Sequence, residues 1–73
     1  MTHTEILTRE DGTKYKIKVF LLSRENQHYY YTMHSVMYPD SDQYRPLPRI
    51  DDNQITQEEI ANAKMKLWEG LKP

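Results

Sequence analysis

The stretch NQHYYYTMHSVMY, residues 26–38, concentrates side chains that bind ligands through their rings. It holds four of the chain's six tyrosines and two of its three histidines. Tyrosine rings stack on nucleobases and fill pockets at protein interfaces, whereas imidazoles bind divalent metals. His28 and His34 would share one face of a regular strand, but the local sequence places no third or fourth ligand beside them. The stretch therefore predicts a strand with neither a metal nor a cofactor, whose tyrosines either cover an open sheet face with their hydroxyls in water or form a binding surface.

Lysines recur at every second position of KYKIK and therefore share one face of a strand. A neighbouring strand that carries them would place cations beside the tyrosines, as in proteins that bind single-stranded nucleic acid. The two arginines of RPLPR would extend this basic patch if they reach the same face. The candidate binding residues are Lys14, Lys16, Lys18, Arg24, Tyr29, Tyr30, Tyr31, Arg45 and Arg49.

The charge of the chain is nearly balanced overall but is segregated along the sequence. The formal net charge is −1, whereas general nucleic-acid binders usually have a strong basic excess. Residues 1–24 carry five basic and three acidic side chains, 5 − 3 = +2, and residues 25–60 carry two and seven, 2 − 7 = −5. A basic face on a chain of balanced charge is therefore compatible with the sequence.

Catalytic chemistry is not expected from this sequence. The chain has no cysteine, which excludes disulfides, thiolate zinc sites and a cysteine nucleophile. Its two glycines form no phosphate-binding loop, and no serine has the context of a nucleophile elbow. A domain this small rarely encloses a cavity for a small-molecule substrate. The sequence predicts a non-enzymatic protein.

Neither a membrane segment nor a secretory signal is indicated. No apolar run approaches the roughly 18 residues of a membrane span. The start MTHTEILTRE lacks the basic region and apolar stretch of a signal peptide. We therefore expect a cytoplasmic location.

The turn sequence EDGT predicts a β-hairpin between strands at about 4–9 and 14–22. Asp-Gly is a preferred pair for a two-residue loop, because both positions must accept positive φ. Counting outward from that loop places Ile6 opposite Ile17. The predicted core face is Ile6, Thr8, Tyr15, Ile17, Val19 and Leu21, and the predicted solvated face is Glu5, Leu7, Arg9, Lys14, Lys16, Lys18 and Phe20.

A second reversal at residues 23–27 leads to a third strand at about 28–37, rich in tyrosine, threonine and valine. Its register is left open, because the reversal lacks glycine. Either choice of face leaves at least two tyrosines on the side away from a covering helix.

Three prolines then predict a long surface connection over residues 39–54, with an extended edge piece near residues 43–45.

The last element is a helix at about 57–69. Thr56 and Glu59 fit a capping box, and Ile55 with Ile60 fits the hydrophobic staple around such a cap. Gly70 suits a left-handed C-terminal cap. The predicted apolar side consists of Ile60, Ala61, Ala63, Leu67, Trp68 and Leu71, with Met65 at its flank and the ammonium of Lys64 reaching outward.

Together these elements predict one small α+β domain over residues 1–73, a three-stranded antiparallel meander with the helix packed on one face. We expect a protein–protein interaction module, or a homodimer, that uses the tyrosine-bearing sheet face. A regulator or inhibitor of a larger complex, such as a bacterial or phage accessory protein, fits this expectation. The alternative is a single-stranded nucleic-acid-binding protein that uses the same tyrosines and lysines.

Overall fold

The computed structural model describes residues 1–71 of the 73-residue chain. Four strands form one antiparallel sheet in chain order, and one helix packs on a single face of it, which confirms the predicted α+β fold. No helix within residues 1–71 is both long and apolar enough to cross a bilayer. The elements are β1 (Thr2–Thr8), β2 (Lys14–Arg24), β3 (Gln27–Met37), β4 (Arg45–Pro46) and α1 (Gln57–Leu71).

The first hairpin closes with a three-residue loop rather than the predicted two-residue loop. The Gly12 amide donates to the Arg9 carbonyl at 3.0 Å, and the Arg9 amide donates to the Thr13 carbonyl at 2.8 Å. Gly12 has φ +92°, the left-handed conformation that follows a type I turn in loops of this length. Asp11 adds a side-chain contact, since its Oδ1 accepts the Thr13 amide at 2.8 Å.

The longer loop shifts the register by one residue and reverses which β1 side chains face the helix. Glu5 lies opposite Ile17, which is fully buried, so the odd-numbered residues of β1 and β2 face the helix. Leu7 packs against the core, whereas Ile6 is 46% exposed. We call the two sides of the sheet the helix side and the open face. The predicted sides were wrong for Glu5, Ile6, Leu7, Thr8 and Arg9.

The second hairpin turns on two residues that both have positive φ. Glu25 has φ 54° and Asn26 has φ 65°, and Arg24 pairs with Gln27 across them. This is the two-residue type I′ loop, whose twist matches that of the flanking strands. Asparagine tolerates this conformation, but glutamate is strained in it. The turn sets the register of β3 and places Tyr30 opposite Leu21.

A more favourable turn sequence is expected to stabilise the protein. The double change Glu25→Asn and Asn26→Gly should raise the free energy of unfolding by about 1 kcal/mol, because it relieves the left-handed strain at residue 25. For a domain of this size, that gain corresponds to a rise in the thermal midpoint of roughly 5 °C. Asn26→Ala should have the opposite effect and lower the midpoint, because alanine is strained at the positive φ of this position. An unchanged midpoint in both variants, measured by circular dichroism, would contradict the type I′ assignment.

The helix begins as the sequence predicts. The Thr56 amide donates to Glu59 Oε1 at 3.0 Å, and the Glu59 amide donates to Thr56 Oγ1 at 3.1 Å, which confirms the capping box. Ile55 and Ile60 are buried on either side of the cap, as expected of a hydrophobic staple. Gly70, however, lies within the helix, so the predicted left-handed cap is wrong. Glycine is permitted that conformation but does not require it.

The core lies between α1 and strands β1 and β2. The helix contributes fewer core residues than its predicted apolar side, because Ala61, Met65 and Trp68 lie outside it and are exposed. Leu7, Tyr15, Leu21 and Ile50 pack around the core at its edges. The buried cluster comprises Ile17, Val19, Ile55, Ile60, Ala63 and Leu67.

Candidate binding surface

The alternation of β2 brings its cationic side chains to the open face. Since Ile17 and Val19 are buried on the helix side, the even-numbered residues of β2 point the other way. The even-numbered positions include three lysines and, at the end of the strand, an arginine. The cations placed on the open face are Lys14, Lys16, Lys18 and Arg24.

The pairing of β3 with β2 divides the three consecutive tyrosines. Tyr29 lies opposite Leu22 and Tyr31 opposite Phe20, so both belong to the open face. They are 50% and 57% exposed. Tyr30 lies opposite Leu21 and belongs to the helix side. The type I′ turn therefore decides which two tyrosines stand beside the lysines.

Apolar side chains join the tyrosines on the open face. Ile6, Leu22 and Met33 are each about half exposed there. The Phe20 and Tyr31 rings lie 6.0 Å apart between centroids at an interplanar angle of 48°. Leu22 was not among the predicted binding residues, although it continues the even-numbered spacing that begins at Lys14.

Two of the lysines contact aromatic rings. Lys18 Nζ lies 5.3 Å from the centroid of Phe20, and Lys16 Nζ lies 4.0 Å from that of Tyr44. Cation–π contacts of this kind restrain the ammonium groups over the sheet. No strand position of the open face carries a carboxylate. These positions are Thr2, Thr4, Ile6, Thr8, Lys14, Lys16, Lys18, Phe20, Leu22, Arg24, Gln27, Tyr29, Tyr31, Met33, Ser35, Met37 and Pro46.

Two carboxylates, Glu5 of β1 and Glu59 of α1, form ion pairs on the helix side. Lys66 Nζ donates to Glu5 Oε1 at 2.6 Å, and His3 contacts the other oxygen at 2.7 Å. The hydrogen bond from Lys66 and then that from His3 lower the pKa of Glu5. Arg9 donates to both oxygens of Glu59, at 2.8 and 2.9 Å. These contacts hold two of the chain's eleven carboxylates on the side of the sheet opposite the lysines.

The helix side has an apolar cleft of its own between α1 and β3. Its volume is about 500 Å³, and Tyr30, Met65 and Trp68 line it. Lys64 Nζ lies 5.9 Å from the centroid of the Tyr30 ring. The sequence predicted Trp68 in the core, but it is 44% exposed here. The helix packs on β1 and β2, so its flank over β3 is left uncovered.

The histidines of β3 form no metal site with other residues of the described chain. No group of three or more histidine or carboxylate side chains within residues 1–71 could hold a metal ion. His34 Nε2 is buried without a hydrogen-bond partner among residues 1–71, and burial lowers the pKa of this imidazole. The lowered pKa favours the neutral form of the His34 imidazole.

The candidate residues thus separate into two groups. The open face gathers Lys14, Lys16, Lys18, Arg24, Tyr29 and Tyr31. Tyr30 lies on the helix side, Arg45 lies opposite Val36 on that same side, and Arg49 is an exposed loop residue. No protein-family model, curated protein or solved structure matches this chain. Inference about function therefore depends on the chemistry of these surfaces.

Proposed function

We propose that this protein is a cytoplasmic, non-enzymatic binding module whose open face docks a protein partner. The observation that carries the proposal is the composition of that face, where exposed aromatic and apolar side chains lie among four cations without a strand carboxylate. The partner surface would be apolar at its centre and acidic at its rim. A regulator or inhibitor of a larger complex would act through such a face.

Three physical arguments support a protein partner. Small monomers rarely leave a contiguous patch of large apolar side chains in water, and such patches mark interaction sites. Tyrosine contributes a large contact area at a low entropic cost, and for this reason it is enriched at interface hot spots. An excess of positive charge around the patch speeds encounter with a partner of the opposite sign and discriminates against basic surfaces.

The double variant Tyr29→Ser/Tyr31→Ser tests the proposal. It should abolish capture of the partner from nuclease-treated lysate of the source cells. Stability should fall by no more than about 1 kcal/mol, roughly the contribution of the Phe20–Tyr31 contact. Tyr38→Ser is the matched control, because Tyr38 is exposed but lies beyond the end of β3, and it should retain capture. Equal capture by both variants would refute the assignment of the open face.

A second candidate function is the binding of single-stranded nucleic acid. The Phe20–Tyr31 ring pair with Lys18 against Phe20 favours it, since bases stack on aromatic platforms flanked by cations. Affinity for a labelled oligonucleotide would then fall steeply between about 20 and about 200 mM salt, with a logarithmic slope of about −3 if the four cations of the open face contact phosphates. Lys18→Gln would weaken binding, whereas Lys64→Gln on the helix side would not. Absence of binding in dilute buffer would eliminate this candidate.

A further inference from the structure

We propose that the outer edge of β3 over residues 27–33 is a self-association site. A second copy of this chain would add its own β3 there, antiparallel, and join two four-stranded sheets into one. This proposal concerns the edge of the sheet and does not depend on the function proposed for the open face.

The outer edge of β3 is free along most of its length. The short strand β4 pairs only with Ser35 and Val36, and the last contact on this side runs from the Leu47 amide to the His34 carbonyl at 2.8 Å. Backbone groups of an antiparallel strand alternate between its two neighbours. Since the backbone of His34 points outward, the amides and carbonyls of Tyr30 and Thr32 point outward as well.

This edge also lacks the features that protect sheet edges from pairing. Proteins guard exposed edges with lysine, proline or inward-pointing charges. The segment QHYYYTM has neither a proline nor a formally charged side chain. The opposite edge, β1, carries Glu5 on the helix side in ion pairs with Lys66 and His3. The β1 edge therefore carries a charged side chain, whereas residues 27–33 of the β3 edge carry none.

The free segment is complementary to itself. A two-fold axis beside Tyr30 places each Tyr30 opposite its equivalent and each His28 opposite a Thr32, so that all the outward-pointing groups find partners. The same register places Tyr29 opposite Tyr31 of the second copy on the open face. Aromatic cross-strand pairs are among the more stabilising ones in antiparallel sheets. No formal charges of the segment meet across the axis, so two identical segments do not repel each other.

Two open clefts flank this edge. An open cleft of about 580 Å³ lies where β4 ends, lined by Thr32, Met33, Pro46 and Leu47 among others. In the symmetric register Gln27 of the second copy lies opposite Met33, next to this cleft and to Leu47. The cleft of Tyr30, Met65 and Trp68 flanks the edge on the helix side. The dimer would cover apolar surface in both clefts, which the single chain leaves in water.

The test is sedimentation of the wild type and two proline variants over a range of concentrations. The wild type should approach twice the chain mass of 8.8 kDa as concentration rises. Thr32→Pro removes an outward-pointing donor from each copy without breaking the ladder to β2, and should weaken the dimer roughly thirtyfold or more. Thr4→Pro is the matched control, because its amide points outward from the β1 edge, and should dimerise like the wild type.

A wild type that stays monomeric at every concentration would overturn the proposal, as would equal weakening by both proline variants. Amide hydrogen exchange on the wild type provides an independent test if Thr32→Pro does not fold. The amides of Tyr30 and Thr32 should gain protection as concentration rises, while those of Thr4 and Ile6 should not. Protection that is independent of concentration at Tyr30 and Thr32 would also overturn it.

Discussion

Replacement of Ile17 by alanine is expected to lower the free energy of unfolding by about 3 kcal/mol. Ile17 is fully buried at the centre of the cluster beneath α1, and truncation of a buried isoleucine loses its transfer free energy and leaves a cavity. A domain of 73 residues has a total stability of roughly 4 to 11 kcal/mol. This one change would therefore remove a large share of it. Urea denaturation would measure the loss, and we expect the slope of the unfolding free energy against urea concentration to be the same in both proteins.

Ile6→Ala is the control that tests the register. Ile6 and Ile17 would lie in the same core if the hairpin had a two-residue loop. In the structure, however, Ile6 is 46% exposed on the open face. We expect Ile6→Ala to cost less than about 1 kcal/mol. A cost equal to that of Ile17→Ala would contradict the observed pairing. If Ile17→Ala does not fold, Ile17→Val should still cost about 1 kcal/mol.

Replacement of Glu59 by alanine is expected to cost about 2 kcal/mol. Its carboxylate accepts both guanidinium nitrogens of Arg9 and the Thr56 amide, so it links β1, the loop and the start of α1. Loss of the acceptor for the Thr56 amide costs about 1 kcal/mol, and loss of the partly exposed ion pair costs about the same at most. Glu59→Gln retains an acceptor for the Thr56 amide, because glutamine also fits the capping box, and should cost about half as much.

The same ion pair predicts a specific dependence of stability on pH. The hydrogen bonds from Arg9 lower the pKa of Glu59 to about 2, from an ordinary value of 4.5. A depressed pKa in the folded state stabilises the protein fully above about pH 4.5, and this contribution is lost as the pH falls towards 2. The difference in stability between wild type and Glu59→Gln should therefore shrink over that range. Glu58→Gln is the control, because it removes a carboxylate from the same helical turn without removing this ion pair.

The sequence determined by itself the elements and the start of the helix. Thr56 and Glu59 are three residues apart, and their reciprocal hydrogen bonds form within one turn of chain. Alternation along KYKIK likewise required the three lysines to share a face, because successive side chains of a strand point to opposite sides. Such features depend on neighbours in the sequence, so a single chain segment contains all the information they need.

The register of β1 was decided by the tertiary structure. EDGT fits both a two-residue and a three-residue loop, because Gly12 accepts positive φ in either. The observed loop moves Leu7 into the core and brings Arg9 within reach of Glu59, fifty residues later in the chain. Contacts with the helix and its preceding loop select between two turns that are locally similar, and no count along the hairpin reveals them.

The division of the tyrosines also depended on three-dimensional structure. The sequence established that Tyr29 and Tyr31 share one side of β3 and Tyr30 the other, but it did not indicate which side the helix covers. The turn at Glu25 and Asn26 fixed that choice through two left-handed residues, and glutamate is an unusual residue in that conformation. Its strain is compensated by the pairing of two eleven-residue strands, which forms only in the folded sheet. The sequence thus determined which side chains of each strand share a side, and the folded sheet determined which of those sides form the open face.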